Sequence, residues 1–192
     1  MNKPKKIVLD TNVVINIAKL GEKKLQDKSN PFARLFQMKQ RGEVEFIITP
    51  QVLIEVVRGH HIDNGRTERF INKHCTLKQF TQEELNTCLD LALEFGYAGA
   101  IPNAKTVTSG NFDDALILAQ ATVLGLTLVT DNTRHFKNFM TMQQVRQDQG
   151  YNKYLKVETT KGFLKWWDFK TNKTKHTQNK NYKSIPHVIF GN

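Results

Sequence analysis

Cysteine, long hydrophobic runs and acidic residues are all scarce in this chain of 192 residues. The two cysteines, Cys75 and Cys88, are too few for the disulfide framework of a small secreted protein and too far apart for a Cys-x-x-Cys metal or redox motif. The apolar run near the N-terminus spans only residues 7–9, which is far too short for a signal-peptide core or a membrane span. We therefore expect a cytoplasmic protein that does not associate with a membrane.

The shortage of acids leaves a strongly basic chain. Aspartate and glutamate number 18 against 28 lysines and arginines, so the formal net charge is +10. Such a balance favours a polyanionic partner, most simply nucleic acid, although a basic protein without such a partner is the alternative. The length suits one domain with a real core. We assign residues 1–169 to that domain and residues 170–192, which contain five lysines and no acid, to a flexible basic C-terminal extension.

Short apolar runs alternate with helical patterns along the chain. This alternation predicts an α/β sandwich around a parallel sheet, whose central strands are buried on both faces. Strands are predicted at residues 7–9, 44–49 and 126–130, with further short ones at 77–80 and 154–157. Helices are predicted at residues 13–20, 31–39, 50–59, 66–74, 81–95 and 112–124.

Five of the acids lie at the ends of apolar segments or on apolar helices. A carboxylate in such a place is costly to desolvate, and a divalent cation compensates that cost. In parallel sheets, ligands bind beyond the carboxyl ends of the strands. The five acids are Asp10 after residues 7–9, Glu55 within residues 49–57, Asp113 and Asp114 before residues 115–119, and Asp131 after residues 126–130.

Acids arranged in this way predict a metal-dependent enzyme. Mg²⁺ and Mn²⁺ prefer oxygen ligands, and three or four converging carboxylates would repel one another without a cation. One or two such ions can activate a water and stabilise the entering and leaving oxygens of a phosphodiester displacement. Together with the basic composition, this favours a nucleic-acid phosphodiesterase over a small-molecule phosphatase.

Four segments resemble the signatures of PIN-domain nucleases and follow one another in the family's order. The resemblance covers roughly residues 6–136, and its last segment is especially similar to the VapC-type toxins of toxin–antitoxin pairs. The segments are Ile-Val-Leu-Asp-Thr-Asn at 7–12, Glu-Val-Val-Arg-Gly at 55–59, Asp-Ala-Leu-Ile-Leu-Ala-Gln-Ala at 114–121 and Gly-Leu-Thr-Leu-Val-Thr-Asp-Asn-Thr-Arg-His-Phe at 125–136.

The resemblance implies a PIN-like three-layer sandwich and a Mg²⁺- or Mn²⁺-dependent endoribonuclease that leaves a 5′-phosphate and a 3′-hydroxyl. Asp10, Glu55 and Asp114 match the family's metal ligands, which makes them the expected catalytic residues. The resemblance further implies a toxin that forms a homodimer and is held inactive by a cognate antitoxin protein. The resemblance identifies no RNA-binding residues.

Two positions depart from the family's pattern. The fourth acid commonly lies two residues after the Thr of Leu-Val-Thr, where this chain has Asn132, and Asp131 stands one residue early. We expect Asp131 to be a fourth catalytic and metal-binding residue, with Asn132 as the alternative. Spacing at the third acid favours Asp114 over Asp113. The residues expected to support the metal ligands are Thr11, Asn12, Asp113 and Asn132.

Each acid also has an ordinary structural interpretation, which for Glu55 is a solvent-facing position on a partly apolar helix. Asp is common at helix N-caps and in Asx turns, which fits Asp10 and Asp131, and acids at a helix start suit the helix dipole, which fits Asp113 and Asp114. Two functional alternatives stay open as well. One is a PIN-like module that binds RNA or protein without cleavage; the other is a structure-specific DNA nuclease, since phosphodiester chemistry does not by itself select the sugar.

Overall fold

The computed structural model describes residues 3–20, 24–59, 63–139 and 157–178, with side chains of the last segment described as far as residue 171. Within these residues, five strands alternate with eight α-helices. The strands are β1 (Lys5–Leu9), β2 (Val44–Ile48), β3 (Thr76–Leu77), β4 (Thr127–Val129) and β5 (Val157–Glu158). The helices are α1 (Thr11–Ala18), α2 (Pro31–Gln40), α3 (Pro50–Arg58), α4 (Arg66–His74), α5 (Gln82–Tyr97), α6 (Phe112–Val123), α7 (described over residues 133–139) and α8 (Thr160–Gln178).

The five strands form one sheet in the order β3-β2-β1-β4-β5, and every pairing is parallel. This confirms the predicted α/β fold with a central parallel sheet flanked by helices. Because β1 is the middle strand, Ile7, Val8 and Leu9 are fully buried. The register pairs Leu9 with Val129, so β1 and β4 end side by side at one edge of the sheet.

Local capping signals set the starts of the helices. The side-chain oxygen of Asn30 accepts hydrogen bonds from two amides in the first turn of α2, which begins with Pro31. A capping box begins α5, since the side chains of Thr81 and Glu84 each accept a hydrogen bond from the other's backbone amide. None of the described helices combines the length and the apolar character that a membrane crossing requires.

The connection between α5 and α6 depends on a close approach of two backbone segments. A Cβ atom at Gly96 would lie 1.8 Å from the carbonyl oxygen of Ala104, so glycine is required where the loop lies against α5. The loop also buries Ala100 and Ile101. This contact fixes where α6 begins, and with it the position of the acidic pair in the first turn of that helix.

The C-terminal part differs from the expectation of a flexible extension beginning at residue 170. Helix α8 continues without a break to Gln178. Phe163 and Leu164 bury the start of the helix in the core, and Trp166 and Trp167 pack against that core. Once a helix is anchored in this way, each further residue adds one hydrogen bond at little cost. Residues 179–192 and the start of the predicted last strand, residues 154–156, lie outside the described residues, and the division at residue 169 stays a prediction.

Candidate active site

Asp10 follows the central strand β1 directly and is 2% exposed. One carboxylate oxygen accepts a hydrogen bond from the backbone amide of Thr11 at 2.7 Å. The other accepts from Asn12 Nδ2 at 2.6 Å and from the hydroxyl of Thr130 at 2.5 Å. Asp10 is therefore both the N-cap of α1 and the centre of a buried network, which holds its carboxylate at the edge of the sheet.

Glu55 reaches the same place from the second turn of α3, which begins immediately after β2. Val52 and Val56 of this helix are buried in the core, and Glu55 is half-buried. Its Oε2 accepts a hydrogen bond from the hydroxyl of Thr11 at 2.5 Å. Thr11 thus joins two acids, since its amide binds Asp10 and its hydroxyl binds Glu55.

Asp114 is the third acid of the site and lies in the first turn of α6. Its Oδ1 accepts from Asn132 Nδ2 at 3.3 Å, and its Oδ2 lies 2.5 Å from His135 Nδ1. The backbone amide of Asn132 donates to the Thr130 hydroxyl at 3.0 Å. Asn132 therefore connects Asp114, through Thr130, to the network around Asp10.

The other two predicted acids are engaged by helices. Asp113 accepts from Gln51 Nε2 at 2.8 Å and from Arg58 Nη1 at 3.0 Å, which links α6 to both ends of α3. Asp131 Oδ1 accepts at 2.9 Å from the amide of Thr160, the first residue of α8. Both carboxylates therefore make contacts that hold helices in place.

The three acids of the site are electrostatically coupled. Burial raises the pKa of Asp10 to about 6 and that of Glu55 to about 7, and it also raises the pKa of Asp114. The hydrogen bonds from Thr130 to Asp10 and from Thr11 to Glu55 act in the opposite direction by stabilising the charged forms. The charge of Asp114 raises the pKa of both Asp10 and Glu55. Ionisation of all three carboxylates together is therefore unfavourable without a compensating positive charge.

These three acids come from the same part of the chain that matches a known family. A family model described as PIN domain matches residues 7–139, which is more than half of the chain. The chain belongs to the PIN-domain family. No curated protein sequence matches it significantly.

Solved structures with the same fold as this PIN domain include chains of complexes named VapBC. The crystal structure of VapBC2 from Rickettsia felis, bound to a DNA fragment from their promoter, contains a chain with a TM-score of 0.52 and 19% sequence identity, over 80% of this chain and 98% of that one. A chain of VapBC-1 from nontypeable Haemophilus influenzae gives a TM-score of 0.50 and 15% identity, over 81% and 98%. At such identities the similarity shows a shared fold.

Two residues of the PIN-domain site are not singled out by the sequence patterns. Thr130 is fully buried, and its hydroxyl donates to Asp10 and accepts from Asn12 and Asn132. The available signal is its place directly after the apolar run of β4, at the edge where Asp10 follows β1. His135 lies three residues after Asn132, the helical spacing at which two side chains can meet the same partner.

The donor set fits a hard divalent cation by its chemistry. Asp10, Glu55 and Asp114 offer carboxylate oxygens, and burial together with mutual repulsion makes a bound cation favourable. Among the described residues, no three His, Cys, Asp or Glu side chains are grouped closely enough to hold a metal, and each of the three carboxylates makes hydrogen bonds to protein groups. Mg²⁺ needs only one or two carboxylates and keeps several waters, so a tighter cluster is not required.

Proposed function

We propose that this PIN-domain chain is a Mg²⁺- or Mn²⁺-dependent endoribonuclease that hydrolyses RNA phosphodiester bonds. The observation that supports this most strongly is the gathering of Asp10, Glu55 and Asp114 at one edge of the sheet, with pKa values that burial and neighbouring charge raise. Three separate elements supply these acids, so their proximity is not a consequence of sequence neighbourhood. A cationic ligand is the simplest reason for such a group.

In this proposal the oxygens of Asp10, Glu55 and Asp114 hold the cation. When bound, the cation supplies Lewis acidity that activates the attacking water and offsets the charge of the phosphate. Thr11 keeps the first two carboxylates beside each other through its amide and hydroxyl. The hydroxyl of Thr130 fixes the orientation of the Asp10 carboxylate by donating to Oδ2, while the Thr11 backbone amide donates to Oδ1.

We assign the fourth position of the site to Asn132 and not to Asp131. The side chain of Asn132 contacts Asp114 directly, whereas the carboxylate of Asp131 binds the start of α8. Asn132 and His135 together direct both oxygens of Asp114. Their role is to position Asp114, and we do not place a proton transfer on His135.

The test is cleavage of total cellular RNA by the purified chain in the presence of Mg²⁺, Mn²⁺ or EDTA. We expect discrete fragments with 5′-phosphate ends that require the cation. The Asp10→Asn variant, which keeps the shape of the side chain but removes its charge, should yield none of them. A folded wild type that leaves RNA intact with both cations contradicts the nuclease proposal, and single-stranded DNA offered in parallel shows whether the sugar is selected.

We further propose that the chain is the toxin of a toxin–antitoxin pair in the cytoplasm. Support comes from the resemblance of residues 125–136 to VapC-type toxins and from the fold shared with chains of VapBC complexes. The expected partners are a cognate antitoxin protein and a second copy of the chain. Induced expression of the wild type should arrest growth while Asp10→Asn does not; equal growth of both strains at equal protein levels contradicts the toxin assignment.

A PIN-like module that binds RNA without cutting it is the second candidate. It is favoured by one observation, namely that the three carboxylates are turned toward protein donors among the described residues. RNA binding that is unaffected by EDTA, together with no turnover in either cation, identifies this alternative.

A further inference from the structure

A cleft between the start of α2 and the first turns of α8 collects positive charge. It encloses about 340 Å³ and is lined by four cationic side chains, which we call the basic cleft. Three of them are exposed lysines without an ion-pair partner among the described residues. The four are Lys28, Arg34, Lys161 and Lys165.

Acids neutralise only part of this charge. Asp168 lines the basic cleft and pairs with Arg34. Asp27 precedes Lys28 in the chain, and its carboxylate accepts from the backbone amide and the hydroxyl of Ser29. Four cations against three nearby acids, the third being Glu158 beside Gly162 in the first turn of α8, leave a net positive charge.

Two helix starts add to the positive potential of the basic cleft. Pro31, the first residue of α2, lines it, and Lys161 is the second residue of α8. The amino end of a helix carries partial positive charge, part of which is offset here because Asn30 accepts from two amides of α2 and Asp131 accepts from the first amide of α8. Gathering like charges at two such ends is unfavourable unless an anionic partner binds there.

The basic cleft adjoins the acidic site through the start of α8. The amide of Thr160 binds Asp131, whose neighbour Asn132 contacts Asp114. Lys161 and Lys165 are one helical turn apart on the same side of α8. At a rise of about 1.5 Å per residue, Lys165 lies only about 8 Å along the helix from Thr160.

We propose that the basic cleft binds backbone phosphates of a single-stranded RNA next to the bond that the three acids cut. This rests on the proposed nuclease function and adds the direction in which the substrate leaves the site, along α8 toward the start of α2. Lysines on flexible stems contact phosphates as point charges and do not read bases. The basic cleft therefore contributes affinity without sequence preference.

The experiment measures binding of a fluorescent single-stranded RNA to the full chain carrying Asp10→Asn, so that the probe stays intact. Lys161→Gln/Lys165→Gln is compared with Lys3→Gln/Lys73→Gln, a matched pair of exposed lysines that precede β1 and β3 at the amino ends of the strands, opposite the end where the three acids lie. Each phosphate contact contributes about 0.7 to the slope of log K against log salt for a single strand. Loss of two contacts lowers the slope by about 1.4 and weakens binding about 25-fold at about 0.1 M salt.

The control pair removes the same charge and should change affinity little, because screening limits its reach to about 10 Å at 0.1 M salt. Equal weakening by both pairs overturns the proposal, since affinity would then follow net charge alone. Unchanged RNA binding by Lys161→Gln/Lys165→Gln also overturns the proposal. The same holds if this variant binds RNA normally but no longer binds an acidic protein partner. If the wild type cleaves RNA while the α8 pair binds normally, only the basic cleft is wrong; if the chain neither cleaves nor binds RNA, the nuclease proposal fails as well.

Discussion

The ends of β1 and β4 lie side by side at one edge of the sheet, yet the aspartates that follow them make different contacts. Asp10 follows β1 at once and is buried among donors from α1 and from Thr130. Asp131 follows β4 after one intervening residue, and its carboxylate binds the first amide of α8. Two acids in similar sequence surroundings therefore take different roles.

The difference arises from the register between the two strands. Leu9, the last residue of β1, pairs with Val129, the last residue of β4, so the residue that stands beside Asp10 is Thr130 and not Asp131. Since successive side chains in extended backbone point to opposite sides, moving one residue along turns the carboxylate away from its neighbour. A single-residue offset thus places the hydroxyl of Thr130 next to Asp10 and the carboxylate of Asp131 at the start of α8.

The largest effect we expect is on RNA cleavage by a matched pair of variants. Asp10→Asn removes charge from the site, where it supports several kcal/mol of charge stabilisation, and should lower the cleavage rate roughly a thousandfold or more. Asp131→Asn keeps an oxygen that can accept from α8 and should cleave within about tenfold of the wild type. Rates on one RNA substrate give the comparison; equal losses would mean that both acids bind the cation.

The second effect is a loss of stability with rising pH in the cation-free protein. The pKa of Asp10 is raised from 3.8 to about 6, so the folded state binds more protons than the unfolded state in that window. Stability is fully present below pH 3.8 and is lost as the pH rises through about 6, by about 3 kcal/mol for Asp10. Glu55 acts in the same direction from 4.5 to about 7.

Urea unfolding in EDTA at several pH values measures this fall, which Asp10→Asn should reduce by about 3 kcal/mol. Adding Mg²⁺ at neutral pH should restore stability to the wild type through binding to the folded state, and should do so much less for the variant. A wild type whose free energy of unfolding is constant from pH 4 to 7 would show that burial does not raise the pKa of these carboxylates.

Much of this molecule follows from local sequence. The apolar run before Asp10, the capping box at Thr81 and the segment before Asp131 predict their elements because burial and capping act over a few residues. The family's order of acids predicts Asp10, Glu55, Asp114 and Asp131 as one site, and that assignment stays a prediction. Thr130 and His135 escape prediction because their roles depend on strand register and on contacts between separate elements.

The helix through residues 170–178 escapes prediction for a different reason. A basic, polar composition predicts disorder when a segment has no apolar face to bury. Here the helix is already formed upstream, where Phe163 and Leu164 are buried, so the polar residues continue an existing helix. Composition describes the segment alone and contains no information about what precedes it.

The third effect tests the residue that stands beside Asp10. Thr130→Val keeps the shape of the side chain but removes one of the three hydrogen-bond donors to Asp10 and the acceptor of the Asn132 backbone amide. We expect cleavage and cation affinity to fall about 10- to 100-fold and the free energy of unfolding to fall by about 1–3 kcal/mol. Thr127→Val, on the same strand, is the control. Identical behaviour of both variants would show that the hydroxyl does not orient Asp10.

The smallest effect concerns the end of β4 itself. Asp131→Ala removes the acceptor for the Thr160 amide, so it should lower the free energy of unfolding by about 0.5–2 kcal/mol, as loss of a helix cap does. For a chain of this size that corresponds to a fall in Tm of roughly 1–8 °C, while Asp131→Asn should lose only a fraction of it. Thermal unfolding measures the stability, and titration with Mn²⁺ measures the cation affinity. If Asp131→Ala is as stable as the wild type but loses cation affinity, the register argument is wrong and Asp131 belongs to the metal site. If it loses stability and keeps the affinity, a one-residue offset separates a cation ligand from a helix cap.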